Sequence, residues 1–378
     1  MPLNAPVGDV VGSSGTCHWE WMGNRKFASS ALALLLTGCG GGGASPSTTP
    51  VVVVPGPVPS PAPTPSPTPA PTPAPLPSPT PISGVPVPTG VFSADAAALY
   101  DVAPDIDGCR EGRLKRSVVQ AQIASLNALR ALHGLPAVVD SPADEVGEQQ
   151  SALMQAANQS LSHTPPTTWR CFTQAGYDAS STSNLSLAYG TGLRVMPDDH
   201  FLAGWMTERA NVAVDGVGHR RWLLDPFLGA VSYGRVVGVT SGSFSRVDSA
   251  SLKVFGATGA KAPIGSVPDF VAYPQGDYPV RYWEDGAILS FSAIPSRTGG
   301  PANRQVGFAA ATVTVRERGG SAMTVTGVRS DNDGYGVPNN IQFSVPGLRH
   351  GVTYDVLVSG VTGPGTRESY SYSFRIID

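Results

Sequence analysis

The pattern of apolar positions predicts helices early in the folded part of the chain and strands after them. From Arg113 to His133, apolar residues recur three and four positions apart, a repeat typical of an amphipathic helix; they are Val119, Ile123, Leu126 and Leu129. A second helix is predicted from Ser141 to Asn158, and a third begins at Pro197. In the second helix the residues expected to face inward are Val146, Leu153 and Met154. The third includes Phe201, Leu202, Trp205 and Met206.

Two β-rich segments bounded by glycine, Val231–Val239 and Leu252–Phe255, follow these helices. Helices that precede strands, without alternating with them, favour an α+β arrangement in which helices pack on a sheet. From residue 263 to 378 the period changes to two, and turn residues separate the strands. The predicted strands are 287–293, 311–316, 323–328, 341–345, 353–358 and 370–376. Such a succession of short strands predicts an all-β sandwich.

Composition adds a segment without helix or strand signals. Half of the 36 prolines, 18 of them, lie between residues 46 and 88. A chain of this kind stays extended as polyproline II, so residues 39–90 are predicted to be a disordered Gly/Pro-rich linker that acts as a stalk. At ~3.1 Å per residue, Pro55 to Pro88 would span on the order of 100 Å. The net charge of -3 leaves no cationic excess, and a nucleic-acid partner is not expected.

The amino-terminal region has the order of a targeting signal. Arg25 and Lys26 precede a short apolar stretch, Ala28–Leu36, and Gly38-Cys39 follow it. This order resembles the lipobox of bacterial lipoproteins, which implies a signal peptide over 22–38 and a lipid on Cys39. The protein would then be anchored in the bacterial cell envelope, and Gly40, which is not Asp, implies the outer membrane or the surface. The alternative is an ordinary signal peptide with an incidental cysteine. Residues 1–21 are predicted to be an over-long gene start, because acidic residues there precede the basic end.

A series of short motifs resembles the CAP superfamily (cysteine-rich secretory, antigen 5, pathogenesis-related 1), also called the SCP domain. The matching segments are 126–136, 161–163, 172–177, 183–185, 218–226, 231–234 and 254–256. The resemblance lies in their order and spacing, and it covers about Arg113–Ala257. It implies a CAP domain over residues 94–260, folded as an α-β-α sandwich.

The CAP resemblance also implies a polar cleft. In many members two histidines and two acids line the cleft, and some members bind a divalent metal there. His163 and His219 match the histidines, Glu208 matches one acid, and Ser183 stands where the other acid is expected. The implied metal ligands are therefore His163, Glu208 and His219, with zinc as a possible cofactor. The alternative is that these residues close a helix and pin a turn.

Two further groups bear on the architecture. Cys109 and Cys171 are the cysteines left after Cys39 and the amino-terminal one, and outside the cytoplasm such a pair is expected to form a disulfide, with two free thiols as the alternative. Asp198-Asp199-His200 stands where the third helix starts, and capping is the preferred interpretation over metal binding.

The C-terminal segment 348–358 resembles the tyrosine corner of fibronectin type III and related immunoglobulin-like domains, with Tyr354 as the tyrosine. The resemblance implies an immunoglobulin-like sandwich over residues 263–378. Within it, Asp331–Gly334 is predicted to be a plain turn, because it lacks the acid that closes an EF-hand loop.

These features lead to two functional hypotheses. The preferred one is a non-enzymatic, lipid-anchored envelope protein that binds lipid, cell-wall or surface ligands. The alternative is a metal-assisted hydrolase that uses His163, Glu208 and His219. A serine hydrolase is disfavoured, because no Gly-x-Ser-x-Gly elbow stands near these residues.

Overall fold

The computed structural model describes residues 16–18, 88–208, 211, 216–259 and 266–378. The predicted signal peptide, Cys39 and nearly all of the predicted linker lie outside these residues, as does the stretch 260–265, where the predicted domain boundary falls. Below, residues 88–259 are called the N-terminal part and residues 266–378 the C-terminal part. None of the described helices is long and apolar enough to cross a membrane.

Helices and sheets are both present, which confirms the prediction of a mixed α+β protein. The helices are α1 Ala94–Ala98, α2 Arg116–Leu132, α3 Glu145–Asn158, α4 Gln174–Ser180, α5 His200–Thr207 and α6 Gly218–Leu223. The first strands are β1 Thr16–His18, β2 Tyr100–Val102, β3 Arg113–Leu114, β4 Val139–Asp140, β5 Ser183–Gly190, β6 Ala230–Val239 and β7 Arg246–Lys253. The later strands are β8 Phe270–Tyr273, β9 Gly276–Pro279, β10 Leu289–Ala293, β11 Thr312–Glu317, β12 Thr326–Asp331, β13 Asn340–Ser344, β14 Thr353–Ser359 and β15 Ser369–Ile377.

The N-terminal part is built around a sheet to which it contributes four strands; β1, from residues 16–18, is the fifth, and the order is β1-β5-β7-β6-β4. Helices cover both of its faces. On one face, Leu153 and Ala156 of α3 pack with Val236 and Val247 of the sheet. On the other, apolar residues of α2, α5 and α6 join the main core, which contains Leu126, Trp205, Leu223, Tyr233 and Leu252. The sheet is therefore the middle of three layers.

Several predicted details of this part are wrong. Val146 is 60% exposed, because α3 buries the face that contains Leu153 and leaves Val146 outside it. The last strand runs over Arg246–Lys253, so that Phe255 lies beyond it and is 54% exposed. Strand β5 was not predicted. The sequence pattern does not reveal β5 or the full length of β7, because both are rich in serine and a buried serine breaks the apolar alternation that indicates a strand.

Helix α5 begins at His200, three residues after the predicted start at Pro197, and it lacks the predicted side-chain cap. Asp199 is the N-cap residue, and its side chain makes no capping hydrogen bond. The neighbouring Asp198 carboxylate instead accepts a hydrogen bond from Arg235 Nη1 at 3.2 Å. The predicted capping is therefore not made by either carboxylate, and that of Asp198 binds the buried Arg235 guanidinium of the sheet.

The C-terminal part consists of two four-stranded sheets, of order β12-β13-β10-β8 and β11-β14-β15-β9. Aromatic rings fill the space between them, as where Phe291 and Tyr370 lie with ring centroids 5.3 Å apart. All six predicted strands are present within a few residues. In β14 buried residues alternate with less buried ones, the period of two expected of a half-buried strand, whereas β10 is buried throughout. The Tyr354 hydroxyl accepts a hydrogen bond from the Arg349 N–H at 2.9 Å.

The two parts belong to one compact unit. One contact between them is made by His133, which follows α2 and is fully buried. Its Nδ1 lies 2.9 Å from the Ala272 carbonyl oxygen, and its Nε2 lies 3.2 Å from the Tyr278 hydroxyl. Burial lowers the pKa of His133 to about 3, so the ring is neutral at ordinary pH. The sequence offered no role for this isolated histidine.

The predicted disulfide is confirmed. Cys109 and Cys171 are bonded, with their Cα atoms 5.1 Å apart and a separation of 62 positions in the sequence. The bridge joins the segment after β2 to the loop before α4. It therefore closes a loop that contains α2 and α3.

Candidate functional site

The polar residues predicted to form a cleft lie at one end of the N-terminal sheet, where β5 begins. Ser183 and Asn184 are the first two residues of this strand. Neighbouring side chains of a strand point to opposite faces. Ser183 accordingly faces α3, and Asn184 faces α6. The four predicted residues are thus divided between the two faces of the sheet.

Glu208 and His219 form a hydrogen-bonded pair on the α6 face. His219 Nδ1 lies 2.7 Å from Glu208 Oε2, and the other carboxylate oxygen accepts the backbone N–H of Arg220 at 2.8 Å. Glu208 ends α5 in the left-handed region, with φ of 59°. Asn184 Nδ2 donates to the His219 carbonyl oxygen at 3.1 Å. The carboxylate therefore ties the end of α5 to the first turn of α6, and Asn184 ties α6 to the sheet.

His163 belongs to the α3 side. It lies in the loop after α3 and is 6% exposed. Its Nδ1 donates to the Ser180 carbonyl oxygen at 2.7 Å. Ser180 ends α4, and its hydroxyl lies 2.8 Å from that of Ser151 in α3. The histidine thus helps to hold the loop against the α3–α4 pair.

Ser183 faces a buried acid that the sequence analysis missed. Its hydroxyl donates to Glu148 Oε2 at 2.8 Å, and the Ser251 hydroxyl donates to the same oxygen at 2.5 Å. Glu148 is in α3 and has no exposed surface. Gly234 of β6 allows the backbone of α3 to lie close to the sheet, because a Cβ there would lie 2.3 Å from the Glu148 carbonyl carbon.

The environment of Glu148 favours its neutral form. Burial raises its pKa to about 7, although the hydroxyls of Ser251 and Ser183 and the charge of Lys253 act in the opposite direction. The other carboxyl oxygen, Oε1, is buried without a protein hydrogen-bond partner. The acid absent at position 183 therefore has a counterpart on the facing helix. Glu148 lies four residues before Ala152, on the same face of α3, and this helical spacing was the sequence signal that could have predicted its burial.

The geometry gives no support to the implied metal site. Among the residues that the structure describes, no three His, Cys, Asp or Glu side chains are grouped so that they could hold a metal ion. His163, Glu208 and His219 therefore do not form such a group. Both oxygens of Glu208 already accept hydrogen bonds from α6. Ser183 is engaged by Glu148 on the opposite face of the sheet.

Helix α6 also carries two buried arginines that the sequence analysis did not interpret. Arg220 donates to the carbonyl oxygens of Met206 at 3.1 Å and Ile288 at 2.8 Å. Arg221 donates to both carboxylate oxygens of Asp331, each at 2.9 Å. Asp331 was predicted to belong to a plain turn; the residue ends β12, and its carboxylate has a charged partner 110 positions earlier in the chain.

No family model matches the chain, and no curated protein is significantly similar to it in sequence. The resemblance to the CAP superfamily and to immunoglobulin-like domains thus stays a prediction from the sequence motifs.

Proposed function

We propose that this chain is a lipid-anchored envelope protein whose N-terminal part is a CAP-like, non-enzymatic binding module. The observation that carries the proposal is that the predicted cleft residues are buried and hydrogen-bonded to neighbouring elements. His163, Ser183, Glu208 and His219 are each less than a tenth exposed, and each has a hydrogen bond to a neighbouring element. Ser183 joins α3 to the sheet, Glu208 and His219 join α5 to α6, and His163 holds its loop against α4, as expected of a scaffold for binding.

Two architectural features support the assignment. Helices on both faces of one sheet agree with the α-β-α sandwich that the CAP resemblance implies. In the C-terminal part, the hydrogen bond from Arg349 N–H to the Tyr354 hydroxyl agrees with a tyrosine corner. The C-terminal part is accordingly proposed to be an immunoglobulin-like sandwich.

An exposed aromatic residue marks the end of the sheet where the candidate site lies. Phe255 follows β7 and is 54% exposed, and its ring lies 5.6 Å from that of Trp222 in α6. Lys253, which ends β7, pairs with Ser183 in the sheet register. We place the contact with the apolar portion of a lipid or cell-wall ligand at Phe255.

The binding test compares two exposed phenylalanines at opposite ends of β7. Phe244 is 39% exposed and also lies beside an aromatic ring, 4.9 Å from Tyr189. The full chain, Phe255→Ser and Phe244→Ser are each mixed with purified peptidoglycan sacculi and with phosphatidylethanolamine–phosphatidylglycerol vesicles, then sedimented. We expect retention by one of these materials and a clear loss only for Phe255→Ser. No retention of the wild type by either material, or equal loss for both variants, would overturn the proposal.

The anchor has its own test. Cells that express the full chain are labelled with radioactive palmitate. The label should be present in the wild type and in Cys17→Ser, and absent from Cys39→Ser. A labelled Cys39→Ser protein would reject the lipid attachment while leaving the binding test intact.

A further inference from the structure

We infer that the C-terminal part positions the Glu208–His219 pair, and that it does so through the two arginines of α6 and the loop 332–339 between β12 and β13. The inference deepens the proposed function, since it concerns the same site. It stands on contacts between the two parts of the chain, and its test needs no ligand.

The first contact is an ion pair. The Arg221 side chain is 4% exposed and donates to both oxygens of Asp331, whose side chain is 34% exposed. Removing the carboxylate from a buried ion pair is strongly unfavourable, because it leaves the buried guanidinium without its counter-charge. The bidentate geometry also fixes the direction of the guanidinium. The carboxylate of the C-terminal part thus sets the position of the arginine in α6.

The second contact joins the two backbones. Val337 N–H donates to the Arg221 carbonyl oxygen at 3.0 Å. The preceding residue, Gly336, has φ of +68°, and a Cβ there would lie 2.3 Å from that same carbonyl oxygen. Glycine is required here both by the left-handed backbone and by the close approach. The loop therefore packs directly on the last turn of α6.

The third contact leads to the candidate site. The backbone N–H of Arg220 donates to Glu208, and its guanidinium carbon lies 3.9 Å from the ring centroid of Tyr273 in β8. The same guanidinium donates to the Ile288 carbonyl oxygen at 2.8 Å, also in the C-terminal part. His219, Arg220 and Arg221 are consecutive in a helix of six residues. A displacement of Arg220 and Arg221 must therefore shift His219 relative to Glu208.

The main test compares two glycines that both have positive φ but differ in what a Cβ atom would contact. Gly336 and Gly347 both have positive φ, +68° and +81°, but a Cβ at Gly347 would meet no atom within 4 Å. Alanine at either position introduces backbone strain, whereas only Gly336→Ala also disturbs α6. The readouts are the ¹⁵N chemical shifts of the His219 imidazole, assigned with His219→Gln, and amide hydrogen exchange of α6.

In the full-length protein, we expect Gly336→Ala to shift the His219 signals and to speed α6 exchange by about tenfold or more, as loss of interface hydrogen bonds would do. Gly347→Ala should leave both unchanged. Identical His219 signals in the two folded variants would overturn the inference.

A second pair of variants keeps the test decisive if Gly336→Ala does not fold. Asp331→Asn removes the charge that faces Arg221, and Asp331→Glu restores it. The control is Asp355→Asn, which removes the exposed partner of Arg318 in the same part of the chain. The His219 signals should change in Asp331→Asn, return toward the wild type in Asp331→Glu and stay constant in Asp355→Asn. Unchanged signals in Asp331→Asn would reject the coupling, whereas failed ligand retention with this coupling intact would reject only the binding function.

Discussion

The buried acid between α3 and the sheet predicts an unusual pH dependence of stability. Glu148 has a pKa raised to about 7 in the folded protein, against an ordinary value of 4.5. At low pH it is protonated in both the folded and the unfolded chain. As the pH rises from about 4.5 to 7, the unfolded chain loses the proton while the folded protein keeps it, so folding becomes less favourable. Above about pH 7 the folded protein has lost the proton as well, and the stabilisation that the neutral carboxyl group gives at low pH is lost completely.

The size of the effect follows from the difference between the two pKa values. Each pKa unit corresponds to 1.36 kcal/mol, so the carboxyl group costs about 3 kcal/mol of unfolding free energy between pH 4.5 and pH 7.5. Glu148→Gln removes the ionisation. The amide oxygen of the glutamine still accepts the hydroxyls of Ser183 and Ser251. The stability difference between variant and wild type should therefore increase by about 3 kcal/mol over this interval and be constant above it.

Urea unfolding at several pH values measures this difference directly, because the pH dependence of every other group cancels when the two proteins are compared. The control is Glu368→Gln, which removes an exposed carboxylate from the C-terminal part. The pH dependence of its stability relative to the wild type serves as the reference for removal of an exposed carboxylate. A Glu148→Gln difference no steeper than this reference from pH 4.5 to 8 would refute the argument that the folded protein holds Glu148 in its neutral form.

Three more changes test other contacts. Ser183→Glu should destabilise the protein by about 2 kcal/mol or more, since it places a second carboxyl group against Glu148, whereas Ser183→Ala should cost only about 1 kcal/mol. Urea unfolding midpoints distinguish the two variants, and equal midpoints would contradict the packing of Ser183 against Glu148. Replacing Cys109 and Cys171 together by serine should cost roughly 4 kcal/mol, from the loop-entropy estimate; mass mapping of the non-reduced wild type should recover the bridged peptides, and free thiols at both positions would disprove the bridge. His133→Gln should lessen acid sensitivity: the wild-type histidine binds a proton at about pH 6.5 only when unfolded, so its stabilising contribution is lost as the pH falls from 6.5 toward 3. Parallel stability curves for wild type and variant below pH 6.5 would contradict this.

Regular apolar patterns made much of the fold predictable from the sequence. The helix containing Leu126 and Leu129 was located by its spacing, because one of its faces is buried and the opposite face is exposed. The C-terminal strands were located by the alternation of apolar and polar residues and by the turn residues between them. The apolar pattern did not locate strands β5 and β7 correctly. Helices cover both of their faces, and buried residues such as Ser183 and Ser251 interrupt the apolar pattern.

The candidate site was only partly predictable, because its polar partners are far apart in the sequence. Motif order identified Glu208 and His219, which lie 2.7 Å apart at their nearest side-chain atoms. Glu148 was missed because a glutamate in mid-helix is usually solvated. The pairing of Arg221 with Asp331 spans 110 positions and has no local signature. Such contacts depend on how the sheets are stacked, which periodicity does not specify.

The parallel pairing of β9 with β15 has a consequence for biosynthesis. Strand β9 is among the first of the C-terminal part to be made, and its partner β15 follows much later, with Asp277 opposite Arg375 although the two are 98 positions apart in the sequence. Because a strand can pair only after its partner has been synthesised, β9 has no partner in this sheet until β15 has been made. Tyr278 of β9 also contacts His133, so the interface with the N-terminal part depends on a strand that is unpaired until then. A nascent chain of this protein would therefore expose a sheet edge until Ser369–Ile377 has been made, and deletion of this single strand should be more damaging than its length suggests.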